Sequence, residues 1–322
     1  MTPIRFEAEY SGMWTAFAEQ LTVAQAGKPV DGALLAARYR RVCEHLALAQ
    51  SRAYPVHVVA RLETLAQDAH QLIYRRQDFG LNALGRLLRV TLPQAVRHQR
   101  RYLLIAFALF TVPLVACFLL SWLTPDFALR VQDAAQLRTY ENMYGDGRAS
   151  IGRVREAGDD WQMFGYYIFN NIGIGLRCFG AGILAGVGSA FVLVFNGLQI
   201  GVVAGHLQRA GLGHNFWPFV ATHSAFELTG IVLSGAAGLR MGLGWLAPGR
   251  RTRLEALKAA ARESVPVIYA AFFLLLVAAG FEAFWSSAAW VEPWVKFVVA
   301  GLCWLLVLLW LGLMGREKRH AG

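Results

Sequence analysis

At 322 residues, 56% hydrophobic and only 16% charged, the chain is too apolar for an ordinary soluble domain, which carries about a quarter charged residues. A net charge of +10 would direct a soluble protein toward nucleic acid; here the bias of Lys and Arg toward cytoplasmic loops beside an anionic leaflet accounts for it, so no nucleic-acid partner is implied. The four cysteines (Cys43, Cys117, Cys178, Cys303) stand singly, without a CxxC pair, which excludes a sequence-readable disulfide framework or thiolate zinc site.

In chain order, Met1 to Gln20 carries Glu7, Glu9 and Glu19 and has no continuous apolar run, so it is not a signal peptide and is expected in the cytoplasm. Residues 1–78 read as a polar, helical cytoplasmic region. Ala33 to Ala53 and Val56 to Arg76 place apolar residues at three- and four-residue spacing, broken at Tyr54-Pro55. Residues 79–101 set Leu81, Leu84, Leu87, Leu88 and Leu92 against Arg86, Arg89, Arg97, Arg100 and Arg101, the pattern of an amphipathic helix lying in the membrane interface. Apolar runs of about 20 residues then read as transmembrane helices: 102–123 as the first, and 165–187, 188–208, 217–245, 264–287 and 293–314 within the stretch 165–314. An extracytoplasmic loop spans 124–164, and 315–322 form a cytoplasmic tail. Trp122, Trp161, Trp217, Trp285, Trp290 and Trp294 lie where the outer interface should be. The fold class is therefore all-α: a polytopic helical membrane protein with about six transmembrane helices, a helical cytoplasmic N-terminal region and an interfacial amphipathic helix.

Charge sets the orientation. Residues 1–101, the loop 246–263 and the tail hold 22 of the 31 basic residues, whereas the loop 124–164 has five arginines against seven acids. Six spans put both termini and every basic loop on the cytoplasmic face, the topology expected of a multi-pass membrane protein.

Two patterns lie inside the spans. Gly197, Gly201 and Gly205 repeat every fourth residue, as do Gly230, Ser234 and Gly238, followed by Gly242; Gly182, Gly186 and Ala190 do so around a tight turn. Small residues at this spacing let helix backbones approach closely in lipid. They serve packing within the chain, or one stripe forms a homodimer seam. The second pattern is polar. Charged groups in a bilayer need a partner or a watery cavity. Arg177, Asn196 and Glu227 lie near the expected midplane, and Asn171, His223 and Glu282 in the outer third, so these six residues form one candidate intramembrane polar cluster. His223 and Glu227, four residues apart, share a helix face. Three readings stand: a mutually satisfied structural pair; a functional site such as a proton relay, substrate contact or gate; and a metal site with His223, Glu227 and Glu282 as ligands. The zincin arrangement of two histidines with an adjacent glutamate is absent, as are GxSxG, the P-loop and a strand–helix GxGxxG, so no catalytic residue and no cofactor is assigned.

The run Asn170-Asn171 before a Gly-rich span, Asn196-Gly197, His223-Ser-Ala-Phe-Glu227, Gly235-Ala-Ala-Gly238-Leu239, Glu255-Ala-Leu-Lys258 and Gly280-Phe-Glu282-Ala-Phe closely resembles the stage II sporulation protein M family. Arg38-Tyr-Arg40-Arg41, Leu46-Ala-Leu-Ala49 and His70-Gln-Leu-Ile-Tyr74 look like that family's cytoplasmic region, so the likeness runs over about residues 10–315. The resemblance implies an integral membrane component of a multi-protein cell-envelope complex. Relatives act in sporulation with a peptidoglycan-degrading complex, and similar genes in other bacteria accompany MoxR-type AAA+ ATPases and von Willebrand A-domain proteins. The family is also similar in topology to exporter-type permeases, whose interfacial helix precedes the first span.

Three functions follow as expectations. The first is a complex component that docks cytoplasmic partners through residues 1–100 and the basic loop with Arg250, Arg251, Arg253 and Lys258. The second is a transporter or channel with an outward-facing polar cavity. The third is an intramembrane metal-dependent hydrolase. Nothing in the sequence requires an enzyme.

Overall fold

The computed structural model describes residues 2–26, 29–73, 81–145 and 157–316. Residues 74–80, the middle of the 124–164 loop at 146–156, and Lys318 and Arg319 of the tail lie outside them. The described residues contain helices and no strand, and the chain divides into two compact units, Met1–Leu84 and Gly85–Gly322.

The first unit is built from α1 (Pro3–Gln25), α2 (Gly32–Ser51) and α3 (Val56–Ile73). Asp31 caps α2, its carboxylate accepting from the amides of Ala33 and Leu34. The chain leaves the helical path at Ala53 (φ 48°) and Tyr54 before α3 starts. Each helix buries one stripe whose members lie three or four residues apart or at sums of those steps: Phe6, Trp14, Phe17 and Leu21; Leu35, Val42 and Ala49; Val58, Leu62, Leu65 and Ala69. Trp14 is fully enclosed, and its Nε1–H donates to His45 Nδ1 at 3.1 Å.

The boundary between the units falls within α4 (Leu81–Arg86); the second unit continues through a π-turn (Leu87–Thr91) and α5 (Leu92–His98), then bends at Gln99 into α6 (Arg100–Leu123). The amphipathic segment finds its apolar partner in the protein. Leu92 and Val96 are buried in a core with Leu233, Ala271 and Leu274, while Leu84 remains exposed. Gln94 Nε2 and Arg97 Nη1 each donate at 2.7 Å to carbonyls at the end of α13 (Pro293–Leu313), those of Gly315 and Leu311, groups that no intrahelical donor reaches. Arg86, Arg89, Arg100 and Arg101 stay exposed.

The remaining helices are α7 (Phe127–Val131), α8 (Ala134–Tyr144), α9 (Ala157–Gly180), α10 (Val187–Arg209), α11 (Gly213–Leu246) and α12 (Arg253–Gly280). A π-turn, Phe281–Ser286, continues α12. Thr252 starts α12 through a reciprocal capping box with Glu255. Among the described residues, four helices are long and apolar enough to cross a membrane: Arg100–Leu123, Val187–Arg209, Arg253–Ser286 and Pro293–Leu313. Leu104, Ile105 and Phe107 on α6, and Leu305, Leu306 and Leu308 on α13, are exposed, an outer surface suited to lipid. Trp122, Trp161, Trp290 and Trp294 are also exposed. The other two expected spans correspond to α9 and α11. Both are long enough, at 24 and 34 residues, but Asn170, Asn171 and Arg177 in the one and His223, Glu227 and Ser234 in the other lower their hydropathy.

α11 is the central element. It packs on α6, α9, α10, α12 and α13, and from Gly230 to Gly238 it is buried on every side. The small residues sit at its seams. A β-carbon on Gly197, Gly201 or Gly205 of α10 would overlap the carbonyl oxygens of Phe110, Leu114 and Phe118 in turn. Gly230 lies against Leu275 of α12, Gly238 against Ser189 and Cys178, and Gly242 against Gly186, which turns the chain into α10 at φ 81°. Ser234 is fully enclosed, with Oγ close to Gly175 of α9. Every one of these positions faces a helix or turn of the same chain, so a homodimer would have to use other surface.

Candidate functional site

The polar site forms where α9, α11 and the π-turn after α12 meet. His223 and Glu227 lie one turn apart on α11, with His223 Nε2 3.7 Å from Glu227 Oε2. The π-turn widens the end of α12 and presents Glu282 and Ser286 to the same space; such bulges recur at functional positions. His223 Nδ1 and Ser286 Oγ share a hydrogen bond of 3.0 Å. From α9, Asn171 is 1% exposed and its Nδ2 donates to Glu282 Oε2 at 3.4 Å, while its Oδ1 accepts from Asn170. One potential ligand atom each from His223, Glu227 and Glu282 lie within 4.8 Å of one another.

Of the six residues expected to cluster, the structure brings together Asn171, His223, Glu227 and Glu282. Arg177 is exposed, its guanidinium lying along its own helix beside Gly173. Asn196 donates to the carbonyl of Val192 one turn back on α10, at 2.8 Å. Neither joins the group.

Three residues absent from the sequence reading border the site. Ser286 orients His223. Lys296 of α13 is 7% exposed and donates Nζ to the Ser286 carbonyl at 2.8 Å; a lone lysine in an apolar run is itself a signal that was available in the sequence. Tyr144, at the end of α8, packs edge-on against Phe216 and Phe219 of α11. Burial, and then the carboxylate of Glu282, the Tyr167 hydroxyl and the carboxylate of Glu227, push the Tyr144 hydroxyl well above its ordinary range, so it remains protonated. No local pattern marked Tyr144, because it approaches from a loop.

That loop is tied down over the helices. Gln132 Nε2 donates to Gln199 Oε1 at 2.9 Å, His206 Nε2 and Glu141 Oε1 are 2.8 Å apart, and Asn215 Nδ2 donates to the Tyr144 carbonyl at 2.9 Å. Beneath it lies a cavity of about 550 Å³ whose walls include Phe118, Tyr140, Tyr144, Gln199, Trp217, His223 and Glu227. A smaller cavity of about 230 Å³ has Tyr144, Ser286 and Lys296 in its wall. The arrangement is a buried imidazole and two carboxylates, oriented by a serine and an asparagine, with a largely apolar cavity reaching two of the three.

At the opposite end of α11, Arg240 pairs with Glu263 of α12, and Arg253 stacks over Trp245 with its guanidinium 5.8 Å from the ring. Arg250, Arg251, Arg253 and Lys258 are all exposed there.

Helices that carry lipid-compatible surfaces around a polar centre define an integral membrane protein. The family model for stage II sporulation protein M matches residues 105–287, more than half of the chain, and covers the whole polar site. The chain belongs to that family. The match does not extend into the N-terminal unit: residues 4–75 match a separate model, a domain of unknown function (DUF8413), so the likeness expected from about residue 10 is carried by a different domain there. Searches of curated proteins and of solved structures returned no match.

Proposed function

We propose that this protein is a six-span component of a multi-protein cell-envelope complex in a bacterial inner membrane, with both termini and the basic loop before α12 in the cytoplasm. The family match over residues 105–287 is the observation that carries this reading. Counting α9 and α11 as spans is supported by their position. Asn171 meets Glu282, and His223 meets Glu227, rather than lipid, so these polar residues do not argue against insertion. Six spans also gather 22 of 31 basic residues on one side.

In this reading the N-terminal unit and the exposed basic start of α12 dock cytoplasmic partners. By the family's resemblance these are a MoxR-type AAA+ ATPase and von Willebrand A-domain proteins. A photo-crosslinker at Leu254, which is 54% exposed between Arg253 and Glu255, is expected to trap a cytoplasmic protein in native membranes, and charge reversal at Arg251 and Lys258 to abolish the adduct. Adducts to lipid alone, unchanged by charge reversal, would count against docking there.

The cavity reaching His223 and Glu227 favours a second reading, a transporter or channel open to the outside. In a background with the four native cysteines replaced, Ala221→Cys on the cavity wall should then react with a membrane-impermeant thiol reagent added from outside. Absence of labelling in intact cells, with labelling after detergent extraction, would sink this reading.

A further inference from the structure

We infer that His223, Glu227 and Glu282 form a binding site for a divalent transition-metal ion, with zinc the ion whose ligand preferences the set fits best. The inference does not depend on partner docking.

The donor set is one imidazole nitrogen and two carboxylates, the chemistry of three-ligand zinc sites that keep a further position open. The three ligand atoms come from two elements packed side by side. They lie within 4.8 Å of one another, where a tetrahedral site with bonds of about 2.1 Å separates its ligands by about 3.4 Å, so the group closes by about an ångström of side-chain rotation. Exposed acidic groups converge without meaning, but this group is not exposed: the His223 side chain is 5% accessible and that of Glu227 20%. In such surroundings two neighbouring carboxylates repel strongly, and a dication between them removes the repulsion.

Two independent features point to an occupant. The first is the orientation of His223. Nδ1 is engaged by Ser286 Oγ at 3.0 Å, which leaves Nε2 aimed at the carboxylates, 3.7 Å from Glu227 and beyond hydrogen-bonding distance. Fixing one ring nitrogen by an outer hydrogen bond while the other faces a metal is how ligating histidines are held. Asn171 does the same for Glu282 from α9. The second feature is the cavity of about 550 Å³, which includes His223 and Glu227 in its wall. It gives a bound ion a face for water or another oxygen ligand.

Metal analysis of the full-length protein tests this, purified in detergent with a tag that lacks histidine, stripped with a chelator and reloaded with Zn²⁺. The expected result is close to one zinc per chain, lost in Glu227→Gln and Glu282→Gln, with Asn171→Ala binding about 10- to 100-fold more weakly as an outer-sphere change does. Co²⁺ loading of the unmutated protein provides a readout that no variant's folding can confound: visible d–d bands of a four- or five-coordinate ion are expected. Wild-type protein that takes up neither ion after stripping overturns the inference. So does zinc that persists undiminished in a monodisperse Glu227→Gln, Glu282→Gln double variant, because it is then bound elsewhere. A mutually satisfied polar group without metal would give the first of these results.

Discussion

Gly201→Leu should prevent α6 and α10 from packing and leave little folded protein, destabilising by about 3 kcal/mol or more. The reason is the register of the seam. Gly197, Gly201 and Gly205 rest on the carbonyl oxygens of Phe110, Leu114 and Phe118, so both repeats advance by four residues and the backbones touch along three turns. A new β-carbon meets main chain, which cannot rotate away, so the helices must separate. In lipid no hydrophobic force draws them back, and the contacts of the seam are lost together. Among them are the bonds from Ser121 Oγ to the Val202 carbonyl at 3.0 Å and from Arg209 Nη1 to the Trp122 carbonyl at 2.9 Å. Gly301→Leu on α13 is the control, since a β-carbon there meets nothing within 4 Å. Thermal unfolding followed by size-exclusion chromatography in detergent should separate the two clearly. A Gly201→Leu protein that melts with the wild type would show that the seam is not what holds α6 in place.

How much of this was readable in the sequence depends on which coordinate each signal reports. Four-residue spacing of Gly197, Gly201 and Gly205 reports both a face and a close approach, and the structure supplies only the identity of the neighbour. Depth in the membrane is a weaker signal, because it fixes height and not azimuth. His223, Glu282 and Asn171 lie at like depth and meet. Arg177 follows Asn171 by six residues on the same helix, about 240° around the axis, so whatever Asn171 faces, Arg177 turns away from it. Asn196 had a nearer acceptor in its own helix, the Val192 carbonyl. Residues 81–98 show a different ambiguity. Leucines against arginines specify an apolar partner but do not distinguish lipid from protein, and Leu92 and Val96 pack on α11 and α12. The hydropathy of α9 and α11 is the same problem inverted. A helix enclosed by others has no need to be apolar, so composition alone understates it. Tyr144 and Ser286 depended on tertiary approach and on a π-turn, neither of which leaves a periodic trace.

Trp14→Ala should unfold the N-terminal unit selectively. Trp14 is 0% exposed and touches Phe6, His45 and Arg61, with the Arg61 guanidinium 5.6 Å from its ring. Deleting a buried indole costs about 3–5 kcal/mol, a large share of what a small helical unit possesses. Because Met1–Leu84 and Gly85–Gly322 are separate compact units, hydrogen exchange should show lost protection over α1 to α3 and unchanged protection over α6 to α13. The same contact makes the unit acid-sensitive. His45 Nδ1 accepts the Trp14 Nε1–H, so the ring must be neutral there, and burial first, then the charge of Arg41, lowers its pKa below 6.5. The native unit therefore holds fewer protons than the unfolded chain. Its stability is complete above pH 6.5 and declines as the pH falls from there to the depressed native value. Trp14→Phe fills most of the space without the donor and should lose about 1 kcal/mol of the tryptophan's contribution through the missing hydrogen bond. Uniform exchange protection in Trp14→Ala, or stability of α1 to α3 that is flat between pH 7 and pH 5, would mean that this core does not hold the unit together.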